Sequence, residues 1–358
     1  MPTIRFNALD TLFFRDGKPF NMGEDNQATG LFPPYPSVIY GALRSTYLSE
    51  SLDELELANE ENDPTRFLNI IGYYLYFKDN ILFPLPEDCR TKNDPEEQIA
   101  LLMNLYENDF SSNYDLPYIL SLPEEETSKA QDNLISKIEL INYFQEGSKI
   151  SEYYYEKKSN CLLIEPKIGI SIDSQKGISE DGKLYSINFN RPASELKNGK
   201  YSELDIIVEY EGLNLPEKGL LRIGAEGKAV RYEHIQEKFN NNISFPKKGQ
   251  CKWYLATPTI YKKGWYPDWL DKERGYSGQY KGVKFKLLAA AIGTSCYIGG
   301  FDIKEKRPKK MYKAVPAGSV YYFEYEGDLN NVIESLNKEN ISEIRAEEGF
   351  GISYLGVI

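Results

Sequence analysis

The sequence has little of what membrane proteins and most enzymes require. Its 358 residues include a single histidine and four cysteines, and no apolar run is long enough to span a bilayer. The longest such run, at 287–301, is interrupted by glycine. The first residues lack the basic and apolar regions of a secretory signal. We therefore expect a cytoplasmic chain without a membrane partner.

The cysteines are too scattered to form a recognisable site. Cys89, Cys161, Cys251 and Cys296 stand singly, without a CxxC pair or a nearby cluster of histidines. This spacing is typical of free thiols in a reducing compartment and argues against a structural zinc. We predict no metal and no other cofactor.

Catalytic signatures are also missing. His234 lies in the charged stretch AVRYEHIQEK, where a lone histidine is usually structural, and the loop GAEGKAV at 224–230 resembles a phosphate-binding loop only loosely. No nucleophile elbow, zinc-protease motif or calcium loop is present. We predict no catalytic residues. Metal-free RNA cleavage by tyrosine and lysine stays open as an alternative.

Charge is unevenly distributed along the chain. The net charge is −12, yet residues 241–313 hold 16 Lys and Arg against 5 Asp and Glu, together with all three tryptophans. Residues 49–63 contain seven acids and no base. Such a chain can offer a cationic face to phosphates while the rest of its surface repels nucleic acid or meets proteins. A solvated lysine-rich surface is the alternative.

The order of elements predicts an α+β protein with antiparallel sheets rather than a doubly wound parallel fold. Two units are expected, residues 1–210 and 211–358. The predicted elements are a strand at 3–14, a helix at 37–50 capped by Ser37, a hairpin at 72–86, a helical insertion at about 87–150, a protruding hairpin at 168–189, an alanine-rich helix near 283–293 and a closing strand after a glycine-rich turn.

Two segments have the chemistry of anion sites. The prolines of LFPPYPSVIYGALRS, at 31–45, stiffen the approach to a helix N-terminus, whose free N–H groups favour phosphate. Arg44 follows within two turns, and Arg15 and Lys18 follow the first strand. At the other end of the chain, KEKRPKK at 304–310 is basic and EGFGISYLG is rich in glycine, which permits close backbone approach to a ligand. Capping prolines, solvated cations and a tight turn are the structural alternatives.

Several segments together resemble one known family. The segments are LDTLFFRDGKPF, LFPPYPSVIYGALRS, GISIDSQKGISEDGKLYSINFNRP, GAEGKAVRYE, KAVPAGSVYYFE and GFGISYLGVI. In this order they resemble the RAMP-superfamily subunit of type III-B (Cmr) CRISPR effector complexes that binds the crRNA 5′ handle. The acidic stretches at 49–63 and 87–130 do not resemble the family and are interpreted as insertions. GAEGKAV departs from the usual GGE-R pattern, so no contact is predicted at Lys228.

The resemblance implies two ferredoxin-like (RRM-like) domains and a non-catalytic role. The implied partners are the crRNA 5′ handle, the large signalling subunit, the RAMP backbone subunits and the target RNA. The hairpin at 168–189 is the candidate for a thumb that wedges into the guide–target duplex. The RNA-binding residues that we expect are Arg15, Lys18, Ser37, Tyr40, Arg44, Arg307, Lys309, Lys310, Gly349, Gly351 and Tyr354.

Two other functions remain as alternatives. One is a guide-processing endoribonuclease of the same superfamily, and the other is a protein-interaction module that does not contact RNA.

Overall fold

A computed structural model describes ten segments of the chain. They are residues 1–15, 27–93, 97–109, 114–122, 127–145, 151–172, 179–195, 201–239, 243–302 and 306–358. Across these segments, no helix is both long enough and apolar enough to cross a membrane.

The first unit contains seventeen strands within the described segments. They are β1 Thr3–Ala8, β2 Gln27–Thr29, β3 Asn69–Phe77, β4 Asn80–Pro84, β5 Cys89–Lys92, β6 Ile99–Leu102, β7 Asn104–Glu107, β8 Tyr118–Ser121, β9 Thr127–Lys129, β10 Asn133–Ser136, β11 Glu152–Lys157, β12 Leu163–Ile172, β13 Ser179–Arg191, β14 Ala193–Glu195, β15 Tyr201–Glu211, β16 Lys218–Ile223 and β17 Lys228–Ile235. Its helices are α1 Pro36–Glu50 and α2 Lys137–Phe144.

The second unit follows the same plan with fewer strands. They are β18 Lys248–Leu255, β19 Leu270–Asp271, β20 Ser277–Tyr280, β21 Val283–Ala291, β22 Cys296–Ile298, β23 Phe301–Asp302, β24 Arg307–Pro308, β25 Tyr312–Ala314, β26 Val320–Glu326 and β27 Ser353–Val357, with helix α3 Leu329–Leu336. Short 3-10 turns occupy Leu52–Leu57, Lys158–Asn160, Ala225–Gly227 and Ala346–Glu348.

Both units are built on the split βαβ arrangement of ferredoxin-like folds. The large sheet runs β16-β17-β1-β15-β3-β4-β10-β11-β6-β5-β9, and the smaller one runs β19-β20-β21-β26-β18-β27. The cores β17-β1-β15-β3 and β27-β18-β26-β21 each follow the order four-one-three-two, with every neighbour antiparallel. The predicted α+β fold with two antiparallel units is therefore confirmed.

The predicted boundary between the units is wrong. Strands β16 and β17 pair with each other, and β17 pairs with β1 along six residues. The first sheet therefore continues to Ile235, and the change of unit falls between Ile235 and Lys248 rather than at residue 210.

Two helix predictions are also corrected. The segment near 283–293 is strand β21, in which Val283, Phe285 and Leu287 are buried while Lys284 and Lys286 are exposed. This period of two is the pattern of a half-buried strand, and the alanines that follow it obscure the alternation. The described residues of the insertion at 87–150 form six strands, β5 to β10, and a single helix, α2.

Two predicted hairpins are confirmed. Strands β3 and β4 meet at Lys78 and Asp79, which both have positive φ, as a type I′ hairpin turn requires. Strands β12 and β13 are antiparallel, and their pairing begins at Leu163 and Arg191. Strand β2 pairs with β13 in parallel. The connection at 173–178 lies outside the described residues.

The two units share a continuous core. Asp88, from the first unit, is fully buried and accepts hydrogen bonds from the hydroxyls of Tyr143 at 2.6 Å and Tyr322 at 2.5 Å. The ammonium of Lys252 lies 3.7 Å from the centroid of the Tyr143 ring. Burial raises the pKa of Asp88 and lowers that of Lys252. Polar contacts of this kind fix how one unit packs on the other.

Candidate nucleic-acid interface

The proline-rich approach to α1 sets where the helix begins. Pro36 occupies the first helical position, where its missing N–H costs nothing, and Tyr35 before it is extended. Tyr35 is the N-cap, and it makes no side-chain capping bond. The prediction that Ser37 caps the helix is therefore wrong, because Ser37 lies inside the first turn.

Helix α1 presents one face to the core and another to a groove. Ile39 and Leu43 are fully buried. Ser37, Tyr40 and Arg44, at spacings of three and four, lie on the other face and line the groove. The groove has a volume of about 670 Å³.

The opposite wall of the groove comes from the second unit. Its residues are Gly299, Gly300, Phe301, Lys309, Arg345 and Glu348. The structure thus brings together Ser37, Tyr40, Arg44 and Lys309, four of the residues predicted from the sequence, although the chain separates Lys309 widely from the other three.

Arg44 is held firmly by the acidic segment that follows its helix. Its guanidinium donates to Asp63 at 2.5 Å, to Asn59 at 3.0 Å and to the Thr65 hydroxyl at 2.7 Å, and it lies 5.8 Å from the centroid of the Tyr40 ring. The segment interpreted as an unrelated insertion therefore supplies the counter-charge of a groove residue. Arg44 contributes less free positive charge to the groove than the sequence indicates.

Arg345 is a groove residue that the sequence analysis missed. It has a left-handed backbone conformation, and its guanidinium donates to the Gly299 carbonyl at 2.8 Å. It also lies 5.6 Å from the centroid of the Tyr312 ring, and the ammonium of Lys310 lies 5.1 Å from the same centroid. The available signal was its position just before the glycine-rich turn, and the acids around it in EIRAEEG hid that signal.

Lys309 is more exposed to solvent than Arg44 and Arg345, the other cations of the described groove lining. The backbone of Lys309 donates to the Gly300 carbonyl at 2.9 Å, which places the basic loop against this wall. Lys310 and Arg307 are exposed on either side. Strands β23 and β24 hold Arg307 opposite Asp302.

The closing glycines have a packing role that differs from the one predicted. Gly349 and Gly351 are buried with φ of 95° and 83°. A side chain at Gly349 would approach Pro36 to 3.0 Å, and one at Gly351 would approach the Ser342 backbone nitrogen to 2.2 Å. The glycines let residues 345–348 pack against the start of α1, and they offer no open backbone to a ligand in this structure.

Tyr354 is likewise placed in the core. Its ring lies 4.8 Å from that of Phe239, 6.1 Å from that of Phe83 and 6.4 Å from that of Phe144. Burial raises the pKa of its hydroxyl. The prediction that Tyr354 contacts RNA does not agree with this packing.

Arg15, one of the two cations predicted in the first loop, is not among the residues that line the groove. Arg15 is exposed at the end of a described segment, next to Phe14, whose carbonyl accepts from the Leu31 backbone. Lys18 lies outside the described residues. Lys228, for which no contact was predicted, pairs with Asp10 at 2.6 Å and lowers the pKa of that carboxyl to about 2.

The groove also contains a carboxylate. Burial raises the pKa of Glu348, and the nearby charges of Arg345 and Lys309 act in the opposite direction. Burial also raises the pKa of Tyr40. The described lining of the groove therefore combines cations, two aromatic rings and one acid rather than presenting a uniformly basic surface.

No metal centre is evident in the described part of the chain, where no three His, Cys, Asp or Glu side chains gather closely enough to hold an ion. The four cysteines are free thiols.

Fold and groove define a sheet-dominated protein of two ferredoxin-like units with a cation-bearing groove where they meet. The family described as CRISPR-associated protein (Cas_Cmr3) matches residues 4–358, so the chain belongs to this family. The predicted resemblance to a Cmr subunit is thereby confirmed. No protein of curated function matches the sequence.

Solved structures support the fold. Two similar chains come from cryo-EM structures of the Type III-B Cmr-beta complex bound to cognate target RNA, one of them also with AMPPnP. The chain from the structure with target RNA alone shares 18% sequence identity with this chain, and the one from the structure that also contains AMPPnP shares 17%. Both have a TM-score of 0.50. Each alignment covers 89% of this chain and 86% of the other.

Proposed function

We propose that this chain is the non-catalytic subunit of a type III-B CRISPR effector complex that holds the crRNA 5′ handle and docks the large signalling subunit. Family membership supports a place in such a complex. The observation that supports RNA binding by this chain is the groove in which Tyr40, Arg44, Lys309 and Arg345 converge.

The chemistry of the groove suits a single-stranded RNA end. Such RNA is bound through phosphate contacts to cations and through stacking of splayed bases on aromatic rings. Lys309 and Arg345 supply cations on one wall, and Tyr40 lies on the other. Phe301, whose side chain is 58% exposed, adds a ring that is available for stacking.

The hairpin of β12 and β13 is proposed to act on the guide–target duplex. Ile164 and Ile168 project from one side of β12 and are 62% and 73% exposed. Apolar side chains exposed along one face of a strand are suited to wedging against bases. The RAMP backbone subunits and the target RNA are the partners proposed for this region.

Binding of handle RNA to the purified chain tests the proposal. Fluorescence anisotropy with a labelled RNA carrying the repeat-derived 5′ end should show that Lys309→Ala and Arg345→Ala each weaken binding about five- to tenfold. Each variant should also reduce the slope of log affinity against log salt concentration by about one. Lys284→Ala is the matched control, because this exposed lysine lies on β21, outside the groove lining.

Equal affinities for the wild type, the groove variants and the control would contradict an RNA site in the groove. Absence of binding by the wild-type chain would contradict RNA binding by this chain alone.

A further inference from the structure

Glu348 is an unusual member of an anion-binding groove. Its side chain is half-buried in the groove, and among the residues that the structure describes no hydrogen bond or ion pair reaches its carboxylate. A ligand that covered this carboxylate without bonding to it would remove an ionised group from water unpaired, which is costly.

Two of the cations around Glu348, Arg44 and Arg345, are committed to other groups. Arg44 is bound by Asp63, Asn59 and Thr65. Arg345 donates to the Gly299 carbonyl and covers the Tyr312 ring. These contacts leave the Glu348 carboxylate as a free acceptor in the groove.

Lys309 supplies the complementary feature. Its stem runs close to Gly300, and within the described segments its ammonium has no hydrogen-bonding or ion-pairing partner. A free donor cation and a free acceptor carboxylate thus line one groove without pairing with each other. A ligand that satisfies both must carry an anion and a hydrogen-bond donor.

We propose that Glu348 and Lys309 together bind one nucleotide, whose phosphate contacts Lys309 and whose N–H or O–H donor contacts the Glu348 carboxylate. This inference rests on the proposed function, because it requires RNA in the groove. The donor is a base amino group or the ribose 2′-hydroxyl. A carboxylate accepts from these groups and offers no donor in return. Glu348 is therefore a specificity-determining residue.

The reason for specificity is the cost of a lost partner. A nucleotide that lacks the donor would cover the Glu348 carboxylate and leave it unpaired, and binding sites built in this way reject such analogues strongly. Phosphate contacts alone bind every sequence about equally.

The test compares two neighbouring glutamates on a panel of RNA probes. Glu348→Ala removes the groove carboxylate, and Glu347→Ala removes the same charge from the exposed neighbouring position. The probes are the handle RNA, its all-deoxy form, and forms with inosine for guanosine, purine riboside for adenosine or pyrimidin-2-one riboside for cytidine at single positions.

The wild type and Glu347→Ala should lose about tenfold or more in affinity with one of the donor-deleted probes. Glu348→Ala should bind that probe and the parent within about twofold. Glu348→Gln, which keeps one acceptor oxygen, should retain part of the discrimination. Thermal unfolding of each variant separates loss of fold from loss of specificity.

A different pattern would overturn the inference. If Glu348→Ala bound every probe more tightly by the same factor, the carboxylate would only repel phosphate, while the proposed function would stand. If the wild type bound no probe at all, both proposals would fail.

Discussion

At the scale of single residues, Asp63 organises the edge of the groove. Both carboxylate oxygens are used: one accepts from Arg44 and from the Asn59 backbone, and the other accepts from the backbone and hydroxyl of Thr65. Burial acts to raise the pKa of Asp63, but the hydrogen bonds from Thr65 and Asn59 outweigh it, and the pKa is lowered.

Asp63→Ala should therefore lower the free energy of unfolding by about 2–4 kcal/mol, because Arg44 loses its counter-charge and two backbone donors lose their acceptor. Urea denaturation followed by circular dichroism measures this loss. Because the folded pKa is depressed, the stabilisation is present above the unfolded value near 3.8 and is lost as the pH falls through the lower folded value.

The exposed neighbour Glu61 provides the control. Glu61→Ala should change stability by less than about 0.5 kcal/mol. A similarly small effect of Asp63→Ala would show that the network around Arg44 contributes little.

At the scale of elements, exposed side chains of the β12–β13 hairpin are expected to affect RNA binding but not the stability of the fold. Ile164→Ser and Ile168→Ser together should leave the unfolding free energy within about 1 kcal/mol of the wild type, because both side chains are mostly in water already. If the hairpin wedges into the duplex, the same change should weaken binding of target RNA to the assembled complex several-fold. Unchanged binding would remove these side chains from the contact.

Element types were predictable where the local pattern was strong. The runs at 168–189 and 72–86 alternate around turn residues, and the structure has hairpins there. Segment 283–293 was misread because three consecutive alanines outweighed the alternation before them. Outside α2, the insertion was misread because its acidic composition favours helix, whereas β6 and β10 are strands held by β11 and β4, which are distant in sequence.

The groove could be predicted only in part. Ser37, Tyr40 and Arg44 follow from helical spacing alone. Their meeting with Lys309 and Arg345 depends on how the units pack, which no local pattern encodes. Gly351 and Tyr354 carry the residue types of a ligand site, and the same properties, small size and an aromatic ring, equally serve close packing.

At the scale of the whole molecule, the shared core predicts that both units unfold together. All three tryptophans lie in the second unit, so their fluorescence reports on that unit, while circular dichroism reports on the whole chain. The urea unfolding transition measured by tryptophan fluorescence should coincide with the one measured by circular dichroism. Separate midpoints would contradict coupling of the units.

Asp88→Ala should lower the free energy of unfolding by about 3–5 kcal/mol, because it leaves Lys252 buried without its counter-charge. The exposed carboxylate of Glu326 is the control, and Glu326→Ala should have little effect. A loss as small as that of the control would show that the polar cluster does not hold the units together.

The position of the handle is tested most directly by photo-cross-linking. A guide RNA with 4-thiouridine at single handle positions is assembled into the complex and irradiated, and the attached peptides are identified by mass spectrometry. Handle positions should cross-link to peptides of this chain that contain Tyr40, Phe301 or Tyr312. Cross-links confined to another subunit, or to strands of this chain remote from the groove, would contradict the account.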